Sequence, residues 1–134
     1  MSSQRTMDQE RAAAAWNAID AVNKESEDFK KKYAGWVRSA PADVMTNGLG
    51  QTLAFMLAKG KGKDTEAPSL LYRHLSEWVC PKMEWGQASL LEKLIEPDSK
   101  SDVYRRAMTE ALAYLVWLKR FAEAVLPEVA DVGE

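Results

Sequence analysis

Between Ser101 and Pro127, seven residues (Tyr104, Met108, Ala111, Leu115, Leu118, Ala122 and Val125) recur in alternating steps of four and three. That spacing places all seven on one side of an α-helix, and it is incompatible with a strand, whose faces repeat every second residue. Ser101 reads as the N-cap of this helix and Pro127 as its stop. A long helix with a single apolar stripe must bury that stripe against other elements, and the rest of the chain offers no sheet. No stretch alternates apolar with polar residues between turn signals, and Ala and Leu number 32 against 16 for Val, Ile and Thr together. The chain therefore reads as all-α, a single compact bundle of about six or seven helices. With 134 residues it is long enough to bury about two thirds of its unfolded surface without metal or disulfide. Residues 1–134 form one helical domain on this reading, with frayed ends at 1–5 and 128–134.

The remaining helices follow from shorter patterns. Ala12, Ala15, Trp16, Ile19 and Val22 lie at helical spacing, as do Phe29, Tyr33, Trp36 and Val37, and the spacing does not decide whether a break separates them near Asn23. Glu27 and Asp28 suit a helix start. Pro41 predicts the first turn of a separate short helix through Val44 and Met45, stopped by Asn47-Gly48. Leu49, Leu53, Met56 and Leu57 mark the next helix, and Lys59-Gly60-Lys61-Gly62-Lys63-Asp64 reads as an exposed mobile loop. Pro68 starts a helix carrying Leu71, Leu75, Trp78 and Val79, which Pro81 ends; Leu90, Leu91, Leu94 and Ile95 mark a short one ended by Pro97.

Several function classes are excluded or weakened. No apolar run reaches the roughly 18 residues of a membrane span, and the polar N-terminus lacks the features of a secretory signal. One cysteine, Cys80, allows no internal disulfide and fits a reducing cytoplasm. His74 and Cys80 are the only histidine and cysteine and stand about 240° apart around a helix, so they make neither a catalytic pair nor a metal site. Cys80 is expected in the interior beside Trp78, and His74 at the surface or a helix flank. Glu92 and Glu96 share a helix face but flank an apolar stripe, as a solvated edge does. Asn47-Gly48-Leu49-Gly50-Gln51-Thr52 lacks the third glycine, preceding strand and Lys-Ser/Thr ending of a phosphate loop; close packing of a helix start explains its glycines better. No cofactor or metal is called for.

The net charge of -2 argues against a generally basic nucleic-acid binder, but its distribution is uneven. Residues 1–29 carry three basic and six acidic groups, residues 30–82 nine and four, and residues 83–134 six and ten. Lys59, Lys61 and Lys63 could follow a polyanion backbone or simply solubilise a loop. Arg73 adjoins them in sequence, and Arg38, Arg105, Arg106, Lys119 and Arg120 are further candidates. The five tryptophans lie on or near apolar stripes, which favours core or protein contact over base stacking.

Three blocks carry a likeness. TNGLGQTLAFMLAKGKGK (residues 46–63), SLLYRHLSEWV (69–79) and YLVWLKRFAEAVLP (114–127) resemble, in order and spacing, the small all-helical subunit of the Cmr complex, a type III-B CRISPR effector. The resemblance implies a non-catalytic subunit of an RNA-guided antiviral ribonucleoprotein. Its partners would be other Cmr subunits, further copies of itself in a short filament, and the CRISPR RNA with its target RNA, with no membrane or small-molecule substrate. A basic face would touch sugar-phosphate without reading bases. The residues expected there are Arg38, Lys59, Lys61, Lys63, Arg73, Lys119 and Arg120. Two other classes are weighed against this one: a helical interaction module of an unrelated assembly, and a metal-dependent nuclease using Glu92, Glu96 or Glu110.

Overall fold

The computed structural model describes residues 5–128, so the ends expected to fray fall, apart from Arg5 and Glu128, outside the described residues. Six helices follow one another: α1 (Met7–Val22), α2 (Glu27–Asn47), α3 (Leu49–Gly60), α4 (Ala67–Lys82), α5 (Leu90–Leu94) and α6 (Ser101–Val125). No strand occurs among the described residues, and no helix is long and apolar enough to cross a membrane. α6 packs on α1, α2 and α4, while α4 also packs on α2, α3 and α5. Between them lies one core whose fully buried members include Ile19, Tyr33, Leu53, Leu71, Leu75 and Leu115.

Local chemistry sets most helix ends. Thr6 Oγ1 accepts the Gln9 N–H at 3.1 Å while Gln9 Oε1 accepts the Thr6 N–H at 2.8 Å, a reciprocal cap that starts α1. α1 ends at its C-cap Asn23, which settles the break that the spacing left open, and Ser26 caps α2 by accepting the Phe29 N–H at 3.2 Å, with Glu27 and Asp28 in the first turn. The stripe of α6 is as expected: Ala111, Leu115, Leu118 and Ala122 are buried, with Tyr104, Met108 and Val125 partly so. Ser101, however, is the first helical residue of α6 and not its cap; extended Lys100 holds that place without a side-chain bond.

Proline positions depart furthest from expectation. Pro41 begins no new helix: α2 runs through it to Asn47. Proline removes one ladder bond and crowds the preceding turn, at about 3 kcal/mol. Continuity survives because Val37, Ala40 and Val44, on both sides of the proline, share one buried stripe. Pro81 likewise sits inside the last turn of α4, which ends one residue later at Lys82. α5 stops at Leu94, before Pro97, so Ile95 leaves the apolar stripe and is 69% exposed.

Glycines mark the close approaches. Gly48, at φ +89°, ends α2 by donating its N–H to Val44 O at 2.9 Å and at the same time begins α3, a backbone state that other residues rarely adopt. The Gly50 N–H donates to Tyr104 Oη at 2.7 Å, and a Cβ there would come within 3.2 Å of that oxygen. The two glycines thus serve a tightly packed helix start. α3 then continues through Lys59 and Gly60, leaving a shorter turn than expected, with Lys61 left-handed at φ 55°. A Cβ on Gly60 would stand 2.0 Å from Ser69 Oγ and 2.8 Å from Ser69 N, so the end of α3 lies against the start of α4.

His74 also departs from expectation. It is 7% exposed, with Nδ1 2.7 Å from Tyr33 Oη. α4 is covered on several sides, so its flanks are interior as well as its main stripe. Burial, reinforced by the neighbouring Arg73 charge, holds the imidazole down at about 4, so it is neutral at pH 7 and shares a hydrogen bond with the Tyr33 hydroxyl. Cys80 is buried near Trp78 as expected, its thiol pushed up by burial and donating to Ala88 O at 3.4 Å.

Two measurements check this packing. Gly60→Ala gains helix propensity but forces α4 to shift, so the urea midpoint should fall, by about 1–3 kcal/mol in stability. The unfolded imidazole takes its proton near 6.5 and the folded one near 4. Stability owed to neutral His74 is therefore complete above pH 6.5 and declines as pH falls toward 4, by about 3 kcal/mol in all. Urea titrations from pH 7 to 4.5 should show that slope, and His74→Gln should flatten it.

Candidate nucleic-acid interface

The seven basic residues expected on one face fall into separate places. Arg73 lies on the narrow exposed edge of α4, bonded to Asp64 at 2.6 Å and to Glu77 at 3.4 Å, so its charge is already matched. Arg38, Lys59, Lys61, Lys63, Lys119 and Arg120 form no ion pair with another described residue. Lys59 is in the last turn of α3, Lys61 is its left-handed cap, and Lys63 donates its N–H to Gly60 O at 3.0 Å. Three unpaired ammonium groups therefore cluster by sequence at one helix end.

Arg38 belongs elsewhere. At 100° per residue, Arg38 and Trp36 diverge by about 200° on α2, either side of the buried Tyr33, Val37, Ala40 and Val44 stripe. Arg38 and Lys119 come together in a groove of about 220 Å³ between α2 and the end of α6, where Glu123 and Glu128 oppose them. Arg120, next along α6, is exposed. Arg105 and Arg106 line a different hollow with Lys82, Asp102 and Glu110.

Trp36, on the other flank of α2, faces α3. Its ring centre lies 5.4 Å from that of Phe55, and Lys59 Nζ stands 5.6 Å above the Phe55 ring. Phe55 also lines, with Asp43, Thr46, Asn47, Gln51 and Thr52, a groove of about 570 Å³. Gln51, Phe55 and Lys59 follow at i, i+4 and i+8, a spacing visible in the sequence; that α2 supplies the opposite wall is not. Apolar periodicity does not single out Phe55, because it lies off the buried stripe.

The carboxylates weighed for catalysis are differently employed. Glu110 receives Arg11 Nε at 2.5 Å, Arg11 Nη2 at 3.0 Å and Trp78 Nε1 at 2.8 Å, tying together α1, α4 and α6. These bonds, Arg11 first, hold its carboxyl below the usual range. Glu96 pairs with Lys93 at 3.2 Å, and Glu92 is exposed. Among the described residues no three His, Cys, Asp or Glu side chains are grouped to hold a metal ion.

A second aromatic cluster joins α1 to α6. Trp16 meets Phe121 edge-on at 5.1 Å, Trp117 lies 5.5 Å from Phe121, and Trp117 Nε1 donates to Asp8 at 3.0 Å. Trp16 remains 45% exposed, which suits contact with protein.

Comparison with known proteins agrees with this architecture. Residues 7–125 match the family described as CRISPR-associated protein (Cas_Cmr5). The CRISPR system Cmr subunit Cmr5 of Thermotoga maritima is 29% identical over 123 residues, covering 91% of this chain and 86% of that protein. The crystal structure of a CRISPR-associated Cmr5 family protein from Thermus thermophilus superposes with a TM-score of 0.74 at 26% identity, covering 92% of this chain and 100% of that one. The match spans α1 to α6, well beyond the three blocks that carry the resemblance in the sequence. The chain belongs to the Cas_Cmr5 family of CRISPR-associated proteins.

Proposed function

We propose that this protein is a non-catalytic small subunit of a cytoplasmic Cmr effector complex acting in antiviral defence. Copies line up beside the subunits that hold the CRISPR RNA and touch the target strand through its sugar-phosphate. The observation that carries this reading is the family match over residues 7–125, in a fold whose Lys59, Lys61 and Lys63 have no ion-pair partner among the described residues. Unpaired exposed ammonium groups suit phosphate, because binding releases condensed counterions and breaks no internal pair. Arg73 contributes less, since recruiting it to phosphate would mean giving up Asp64 and Glu77. Arg38 with Lys119 and Arg120 would form a second contact, softened by Glu123 and Glu128.

Each copy needs only a few phosphate contacts, because copies along one strand add avidity. Guide pairing reads the target sequence, and this subunit follows the backbone. The half-exposed Trp16 beside Phe121 suits the protein contacts that such an assembly requires, and the same patch would serve an unrelated assembly under the alternative reading.

A tagged pull-down from the native host decides between them. Recovery of backbone and large effector subunits with repeat-tagged guide RNA is expected; other proteins without such RNA would transfer the assignment to a generic interaction module. For the isolated protein, weak and salt-sensitive RNA binding is expected. Joint replacement of Lys59, Lys61 and Lys63 by Glu should reduce the steepness of log affinity against log salt by about 0.7 for each phosphate that is no longer neutralised. Unchanged affinity and slope would remove these lysines from the interface.

A further inference from the structure

We propose that the groove between α2 and α3 is a stacking site for an unpaired base of single-stranded RNA, with the Phe55 ring as the platform and Lys59 on the adjoining phosphate. This rests on the RNA-contacting role above and adds to it a contact with the base itself. Phe55 is 52% exposed, in the middle of a helix whose buried stripe runs through Leu49, Leu53, Met56 and Gly60. It therefore contributes little to the core. It is nevertheless held in place, by Trp36 at 5.4 Å and by Lys59 Nζ 5.6 Å over the ring. A half-exposed ring already restrained by its neighbours loses little freedom when a flat partner is laid on it, and the Lys59 ammonium is free to swing from the ring to the partner's phosphate.

The surroundings match a nucleotide part by part. Asp43, Asn47 and Gln51 line the groove toward the α2–α3 junction and supply carboxylate and amide groups of the kind that bond base edges. Thr52 Oγ1 is engaged with Gly48 O at 2.9 Å and adds no free donor. Toward the opposite end of α3 come Lys59, then Lys61 and Lys63, where the strand's phosphates would run. Polar groups and the Phe55 ring thus line one groove of about 570 Å³, and the lysines follow beyond it at the end of α3. The aromatic cluster on α1 and α6 lacks this order: its Trp117 indole N–H is turned to the Asp8 carboxylate, an anion that repels phosphate. Asp43 places one carboxylate in the Phe55 groove as well, but three unpaired lysines follow at the end of α3, so the balance of charge favours RNA at Phe55 and protein at Trp16.

The test measures binding of the full chain to a fluorescein-labelled single-stranded 12-nucleotide RNA and to an abasic ribose-phosphate strand of equal length, by anisotropy over a range of salt. Phe55→Ala should weaken binding to the base-bearing strand about tenfold, within the range for losing one aromatic stack, and leave the abasic strand unaffected. Its salt slope should match wild type, since every phosphate keeps its cation, and Phe55→Trp should retain affinity. Lys59→Ala should weaken both strands and lower the slope. Equal losses of Phe55→Ala on both strands, or none on either, would overturn base stacking while leaving the backbone-contact reading intact. Absence of binding by the wild type to either strand would overturn both. Full RNA affinity in Phe55→Ala combined with loss of a copurifying Cmr subunit would reassign the groove to protein. Phe55→Trp, together with circular dichroism of each variant, separates these outcomes from misfolding.

Discussion

A helix covered on most of its circumference must find partners for its polar atoms inside the protein, and α4 imposes that condition on everything around it. His74 Nδ1 hydrogen-bonds the Tyr33 hydroxyl at 2.7 Å, which ties α4 to α2. Ser76 Oγ accepts the Leu90 N–H at 3.0 Å, and Tyr72 Oη accepts the Leu91 N–H at 3.0 Å while also meeting Ser89. Those bonds dock α5, a five-residue helix too short to be stable alone. Ser69 is the exception: its buried Oγ has no hydrogen-bond partner and packs against Gly60, whose missing side chain lets α3 approach so closely. Trp78 stacks on Tyr114 at 5.5 Å and donates to Glu110, bringing in α6 and, through Arg11, α1.

This arrangement also sorts the cations. The exposed edge of α4 is narrow, and the residues on it, Arg73 and Glu77, pair with one another, Arg73 also with Asp64. A charge there is a structural counterpart before it is a ligand contact. The other six cations expected at the interface, which have no such partners, lie at the periphery: the end of α3, the outer flank of α2 and the last turns of α6. Peripheral unpaired charge can meet a polyanion without disturbing the core, and it gives each copy a modest contribution that assembly can multiply.

Much of the fold is legible in the sequence because it rests on local causes. The α6 stripe, the acidic first turn of α2 and the tight Gly48–Gly50 junction all follow from spacing or backbone chemistry within a few residues. The departures share a different cause. Pro41 and Pro81 are strong local stops, but α2 has buried side chains on both sides of Pro41, and α4 is anchored up to Pro81 by buried Val79 and Cys80, so each helix continues past its proline. His74 lies beside the charged Arg73 in sequence, which favours a surface position, whereas α2 covers it. Ile95 fits the α5 stripe only if the helix goes on, and it does not. For the interface, the basic residues themselves are legible, but their grouping is not. Arg73 is matched, Arg38 and Lys119 share one groove, and Lys59 belongs with Phe55 and Trp36.

By itself, the amino-acid order determined the helical class, the approximate span of most helices, and through three blocks of residues the family. These depend on periodicity and backbone preference, which act over a turn or two. Tertiary structure decided which helix is central, which polar groups are interior, which cations remain unpaired, and that α2 and α3 together wall the groove at Phe55. Those properties belong to pairs of surfaces brought together from distant parts of the chain, and burial or a partner's charge can outweigh any preference a residue has on its own.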